Sequence, residues 1–148
     1  MNTPIRLEQA LLKLYNAFHN DTLNPECCKQ CAVGNILDNT DAWKHFSEDH
    51  GSLTLNYIGM VNQKFGRRFN GYSPLELLQI EATFLSACGY SLPLRHNGLR
   101  PQQISDDSLF NGLDAVIDFL CQLDGVVNTI NYKKLFKTKT ENSTELAI

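Results

Sequence analysis

The sequence predicts an all-α fold: an irregular single-domain bundle of about six helices over residues 1–137, then a flexible C-terminal tail over 138–148. Three observations carry that expectation. Apolar residues recur at three- and four-residue spacing in successive segments. Each of those segments is bracketed by capping residues, prolines or glycines at the places where helices start and stop. The connections between them are mostly short.

Helix 1 is expected to begin at Thr3-Pro4, with Thr3 as cap and Pro4 at the first helical position. Leu7, Leu11, Leu14, Tyr15 and Phe18 then form its apolar face. Asn24-Pro25-Glu26 reads as the start of helix 2, which runs through Cys31, Val33 and Ile36 toward Leu37. Thr40 is placed as the cap of a short helix bearing Trp43, His45 and Phe46 and ending at Gly51. Ser52 opens a further helical segment with Leu55, Ile58, Val61 and Phe65 on one face, closed by Gly66.

Asn70-Gly71 is a turn signal. Ser73-Pro74-x-Glu76 is a capping box leading into Leu77, Leu78, Ile80, Phe84, Leu85 and Cys88, and Gly89 stops that helix. Residues 91–104, with Pro93, Gly98 and Pro101, read as a long surface loop. The last long helix spans Ser108 to Asp124, with Leu109, Leu113, Val116, Ile117, Leu120 and Leu123 inward, and ends at Gly125. A short helix is expected around Tyr132 to Phe136.

Composition narrows the function. A net charge of −3 gives no electrostatic footprint for nucleic acid. Apolar runs such as Ala115 to Cys121 are too short to span a bilayer, so no membrane association is expected. Met1 to Leu12 carries Arg6 and Glu8 and no apolar stretch of a signal peptide, which predicts a cytoplasmic protein. Five cysteines in that setting read as thiols or metal ligands, not as a disulfide framework. A protein is the class of partner left open, and the oligomeric state is not fixed.

The chemically loaded feature is Cys27-Cys28-x-x-Cys31. On a helix starting at Pro25, Cys28 lies about 100° and Cys31 about 40° from Cys27, so three thiols share one quadrant. Cys27 and Cys28 would sit in the first turn, where unpaired N–H groups favour thiolate. Zinc would need a fourth ligand, for which His45, His50 and His19 are the candidates, with the distant Cys88 and Cys121 as further ones. An iron–sulfur cluster is the other cofactor such thiols suggest, although neither ferredoxin spacing is present. Cys28 and Cys31 also form a C-x-x-C that suits thiol–disulfide or electron-transfer chemistry, but without the strand that precedes it in thioredoxin-like folds. The plain alternative is a partner-binding helical domain whose cysteines are inert core residues. Cys88 and Cys121, on apolar stripes, fit that alternative best.

Arg67 and Arg68, beside Lys64 and the helix start at Ser73, make a weak candidate anion site. No Glu-x-x-His occurs: Glu81, for example, is followed three residues on by Phe84. G-x-S-x-G, a P-loop and H-E-x-x-H are missing too, which points away from an enzyme.

The stretches Leu23-Asn-Pro-Glu-Cys-Cys, Cys31-Ala-Val-Gly-Asn-Ile, Trp43-Lys-His, His50-Gly-Ser-Leu, Asn70-Gly-Tyr-Ser-Pro-x-Glu-Leu-Leu and Cys88-Gly-Tyr resemble a small bacterial family. Its members are called after the NADH-oxidising component of the Na+-translocating NADH-quinone reductase, and the resemblance covers most of residues 5–137. That component itself has a membrane anchor, a ferredoxin domain and flavin- and NADH-binding domains. The present chain has no membrane span, no ferredoxin cysteine spacing and no G-x-G-x-x-G. The resemblance therefore implies a soluble protein, with no flavin or NADH expected.

Overall fold

Helix boundaries in the computed structural model, which describes residues 4–92, 105–127, 129, 130, 132–134 and 136, follow the capping residues wherever those serve their own helix. In chain order the elements are α1 (Ile5–His19), α2 (Ala32–Ile36), a 3₁₀ helix (Ala42–Phe46), α3 (Tyr57–Lys64), α4 (Pro74–Cys88) and α5 (Asp106–Leu123). Residues 130, 132–134 and 136 are also helical, where the short helix near Tyr132 is expected. Among the described residues there is no strand, only an isolated bridge between Phe69 and Tyr72. The fold is all-α. No helix among those residues is long and apolar enough to cross a membrane.

α4 begins as its sequence dictates. The Ser73 hydroxyl accepts from the Glu76 N–H at 3.2 Å, and Glu76 Oε1 accepts from the Ser73 N–H at 2.9 Å. Gly89 closes the helix at φ 105°, a left-handed conformation open to glycine. Leu77, Leu78, Ile80, Phe84, Leu85 and Cys88 are all buried, so α4 is apolar over most of its circumference and lies inside the bundle. It packs against α2, α3, α5 and the 3₁₀ helix, while α1 covers α2 and α5. α4 and α5 approach closely because Gly112 has no side chain. A Cβ there would run into Cys88 Sγ and lie 2.8 Å from the Phe84 ring.

The bundle is also tied at one end by Arg6. Its guanidinium bonds Asp124 Oδ1 and the Gly71 carbonyl, each at 2.7 Å, and lies 4.7 Å from the centre of the Tyr72 ring. This links the start of α1, the Asn70-Gly71 turn and the end of α5.

Four expectations are corrected. Helix 2 does not start at Pro25: residues 24–31 form turns, and α2 begins only at Ala32. The Asn24 side chain accepts from the Glu26 N–H at 3.0 Å, and the Asn24 N–H donates to the Gln30 carbonyl at 2.8 Å, closing a loop in place of a helical ladder. Thr40 does not cap the next helix. Its hydroxyl donates to the Leu37 carbonyl, and the segment is a 3₁₀ helix ending at Phe46, well before Gly51. The helix expected from Ser52 starts at Tyr57, capped by Asn56, whose side chain accepts from the Gly59 N–H at 2.8 Å. Finally, Ile58 and Phe65, expected inward, are exposed. The Thr3 cap, most of the 91–104 loop and the 138–148 tail lie outside the described residues.

Candidate metal centre

The turn that carries the cysteines is placed by its contacts with α2 and with Trp43. Cys31 is extended (φ −74°, ψ −175°) and caps α2 through its sulfur, which accepts from the Gly34 N–H at 3.4 Å. Gly34 in turn lies so close to the Cys28 and Lys29 backbone that any Cβ there would collide with it. Trp43 Nε1 donates to the Cys28 carbonyl at 3.0 Å and pins the loop from the other side. The result separates the three thiols. Cys31 is fully buried, Cys28 is half-buried, and Cys27 lines a different, open cavity with Thr22, Lys29, Gln30 and Asn39.

What Cys31 meets is a histidine and a carboxylate. The donor atoms of Cys31, His50 and Glu81 all lie within 4.8 Å of one another. Glu81 is fully buried on α4, an expensive place for a carboxylate unless its oxygens are satisfied. They are: Oε1 accepts from the Val33 N–H in the first turn of α2 at 3.1 Å, and Oε2 lies 2.8 Å from His50 Nε2. The other ring nitrogen of His50, Nδ1, stands 4.0 Å from Cys28 Sγ. Trp43 meets the His50 ring edge-to-face at 5.3 Å between centroids.

The electrostatics follow from that packing. Burial pulls the His50 imidazole down, but its hydrogen bonds to Cys28 and Glu81 outweigh burial and raise it to about 9. Burial pushes the Cys31 thiol well above its usual value, and the neighbouring Glu81 charge adds to this, against the N–H of Gly34. His50 is thereby held as an imidazolium against the Glu81 carboxylate, and the Cys31 thiol is held neutral.

The sequence placed five residues at a metal centre, and the structure gathers them unevenly. Cys31 and His50 are in the donor group, and Cys28 stands at its edge. Cys27 faces elsewhere. His45 is exposed on the 3₁₀ helix, its carbonyl accepting from Asn56 Nδ2. His19 stacks at the end of α1 against Tyr15 and Phe18, and Cys88 and Cys121 are core thiols. Arg67, Arg68 and Ser73 do not surround an open anion position. Glu76 caps the α4 N-terminus itself and also meets Arg68 at 3.5 Å, while Arg67 bonds Asn62.

Glu81 is the residue that sequence reading missed. Its signal was present, because Glu81 falls on the apolar stripe defined by Leu77, Leu78, Phe84 and Leu85. A carboxylate at helical spacing within a buried stripe needs a partner.

Fold and site together define an all-α domain with a buried Cys–His–Glu group able to hold a metal ion. No protein-family model matches the chain, and neither the curated proteins nor the solved structures give a match.

Proposed function

We propose that the protein is a metal-binding module in which Cys31, His50 and Glu81 hold a single zinc ion, with Cys28, which stands outside the group on the Nδ1 side of His50, swinging in as the fourth donor. The observation that carries this reading is the convergence of three donor groups within 4.8 Å, the buried Cys31 and Glu81 and the half-buried His50, drawn from three separate segments of the chain. Thiolate, imidazole and carboxylate are all zinc ligands, and a tetrahedral site places such donors about 3.3–3.8 Å apart. Zinc would take the place of the proton between His50 Nε2 and Glu81 Oε2, now 2.8 Å apart, and spread that pair slightly. An iron–sulfur cluster is a poorer fit, since clusters are held mainly by thiolates and only one cysteine lies in the group.

The role this supports is structural. Residues 24–31 and 47–56 have no helix of their own, and both lean on Glu81 or its partners. An ion there staples the two loops to α4, and its binding energy becomes folding energy. The test is elemental analysis of protein freed of metal, exposed to zinc and dialysed. About one zinc per chain is expected. Retention of no zinc, or of iron with visible absorption in its place, would overturn the reading.

A second reading rests on a different distance. Cys28 Sγ, His50 and Glu81 stand in the order thiol, imidazole, carboxylate at 4.0 and 2.8 Å, the order in which a base and its orienting acid activate a nucleophile. On this reading zinc inhibits the protein by blocking the thiol, and does not serve its fold. A zinc-free protein whose Cys28 is alkylated much faster than Cys27 would favour it.

A further inference from the structure

α3 is built inside out. Its one buried residue is Gly59, which meets the Phe46 backbone and the Leu55 side chain so closely that no Cβ fits. Taking Gly59 as the inward direction, Gln63 lies about 40° and Asn62 about 60° from it. Tyr57, Val61 and Lys64 lie on the far side, with Ile58 and Met60 on the flanks. The polar residues thus turn toward the bundle, where Gln63 Oε1 accepts from the Leu75 N–H at 3.0 Å. The apolar ones turn outward. Tyr57 is 81% exposed, Phe65 73%, Leu53 57%, Ile58 51% and Met60 47%. That is on the order of 600 Å² of apolar residue surface within thirteen consecutive positions, at the upper end for a monomer and most of one side of a standard protein interface.

The same segment is one of the basic stretches of an acidic chain. From His50 to Leu75 there is no Asp or Glu, while Lys64, Arg67 and Arg68 are all exposed, on a chain of net charge −3. The Arg67 guanidinium lies 5.6 Å from the centre of the Phe65 ring, joining the cations to the apolar face.

We infer that the α3 face, Leu53 to Arg68, is a docking surface for a protein partner that presents an apolar patch rimmed by carboxylates. Three features choose this occupant. Tyr, Phe, Met and Arg are the residues enriched in protein interfaces. A second copy docking the same face two-fold would set Lys64 and Arg67 against the same two cations, with only Arg68 beside a carboxylate, Glu76. An anionic membrane would meet a net-negative protein, and interfacial helices carry cations along their polar flanks, whereas here they gather at the C-terminal end of two turns. The surface shares no residue with the Cys31–His50–Glu81 group.

The experiment pans a displayed library of random peptides on the intact protein, then measures recovered peptides against Tyr57→Ser/Phe65→Ser and Lys64→Glu/Arg67→Glu. Both variants alter exposed residues and should melt like the wild type. Recovered sequences should combine Asp or Glu with large apolar residues. Each variant should weaken binding about tenfold or more, and the effect of the charge variant should fade with salt. Peptides without that composition, no recovered peptide, or binding indifferent to both variants would overturn the inference. So would sedimentation of the protein with phosphatidylserine vesicles, lost in Tyr57→Ser/Phe65→Ser, which would make the face a membrane contact. Self-association of the wild type, abolished by the same variant, would equally overturn it in favour of a second copy.

Discussion

Replacing Glu81 by glutamine removes one charge from the centre of the molecule with little change in shape. The amide oxygen can still accept from the Val33 N–H, which Glu81 Oε1 accepts at 3.1 Å. The amide NH2 then faces His50 Nε2, 2.8 Å from the present Oε2, and cannot accept from an imidazolium. The rise of His50 from 6.5 to about 9 corresponds to about 3 kcal/mol of preference for the charged ring, after burial has been subtracted. Cys28 and Glu81 share the raising effect, so Glu81→Gln should cost the metal-free protein about 1–3 kcal/mol. Because the folded-state value is the higher one, that contribution is complete below pH 6.5 and fades as pH rises through 9. Urea unfolding in the presence of a chelator, followed by the single Trp43, measures the difference between the two proteins at pH 6 and above pH 9. A difference that is equal at both ends, or that grows with pH, refutes the charge pairing of His50 and Glu81.

Other perturbations probe the surrounding structure. In native metal-free protein a thiol probe should label the half-buried Cys27 and Cys28, while Cys31, Cys88 and Cys121 wait for denaturant; mass spectrometry of the labelled peptides checks this, and zinc should leave Cys27 alone reactive. Gly112→Ala sets a Cβ into Phe84 and Cys88 and should cost about 1–3 kcal/mol in urea unfolding, part of it restored by Cys88→Ala. Arg6→Ala leaves Asp124, whose Oδ2 already has no partner, without its counter-charge; a loss of about 3 kcal/mol is expected, eased by Asp124→Asn in the same background.

The parts of the fold legible in the sequence are those whose signals are local. The box at Ser73 and Glu76, the glycine stop at Gly89 and the Asn70-Gly71 turn all act within a few residues, and each sits where its chemistry requires. α5 starts two residues earlier than its apolar period suggested, at the Ser105 cap. Helix 2 misled because Asn24-Pro25-Glu26 has the residues of a helix start but spends the asparagine on an internal turn. The face of α3 misled for another reason: period gives a stripe, not its direction, and with Gly59 inward Ile58 and Phe65 turn to solvent while Leu55 still packs on the core.

The candidate site was half legible for the same kind of reason. Cysteine spacing drew attention to the right turn, yet the convergence expected from a helix depended on the helix being there. His50 and Glu81 come to Cys31 across 19 and 50 residues, and no spacing rule joins them. A polar residue on an apolar stripe was the one long-range hint.

Zinc content of four variants separates the centre drawn by the sequence from the centre assembled by the fold. After identical reconstitution and dialysis, Cys27→Ser and His45→Ala should keep zinc as the wild type does, while Cys31→Ser and His50→Ala should lose it. Loss in Cys27→Ser or His45→Ala with retention in Cys31→Ser and His50→Ala would contradict the Cys31–His50–Glu81 centre.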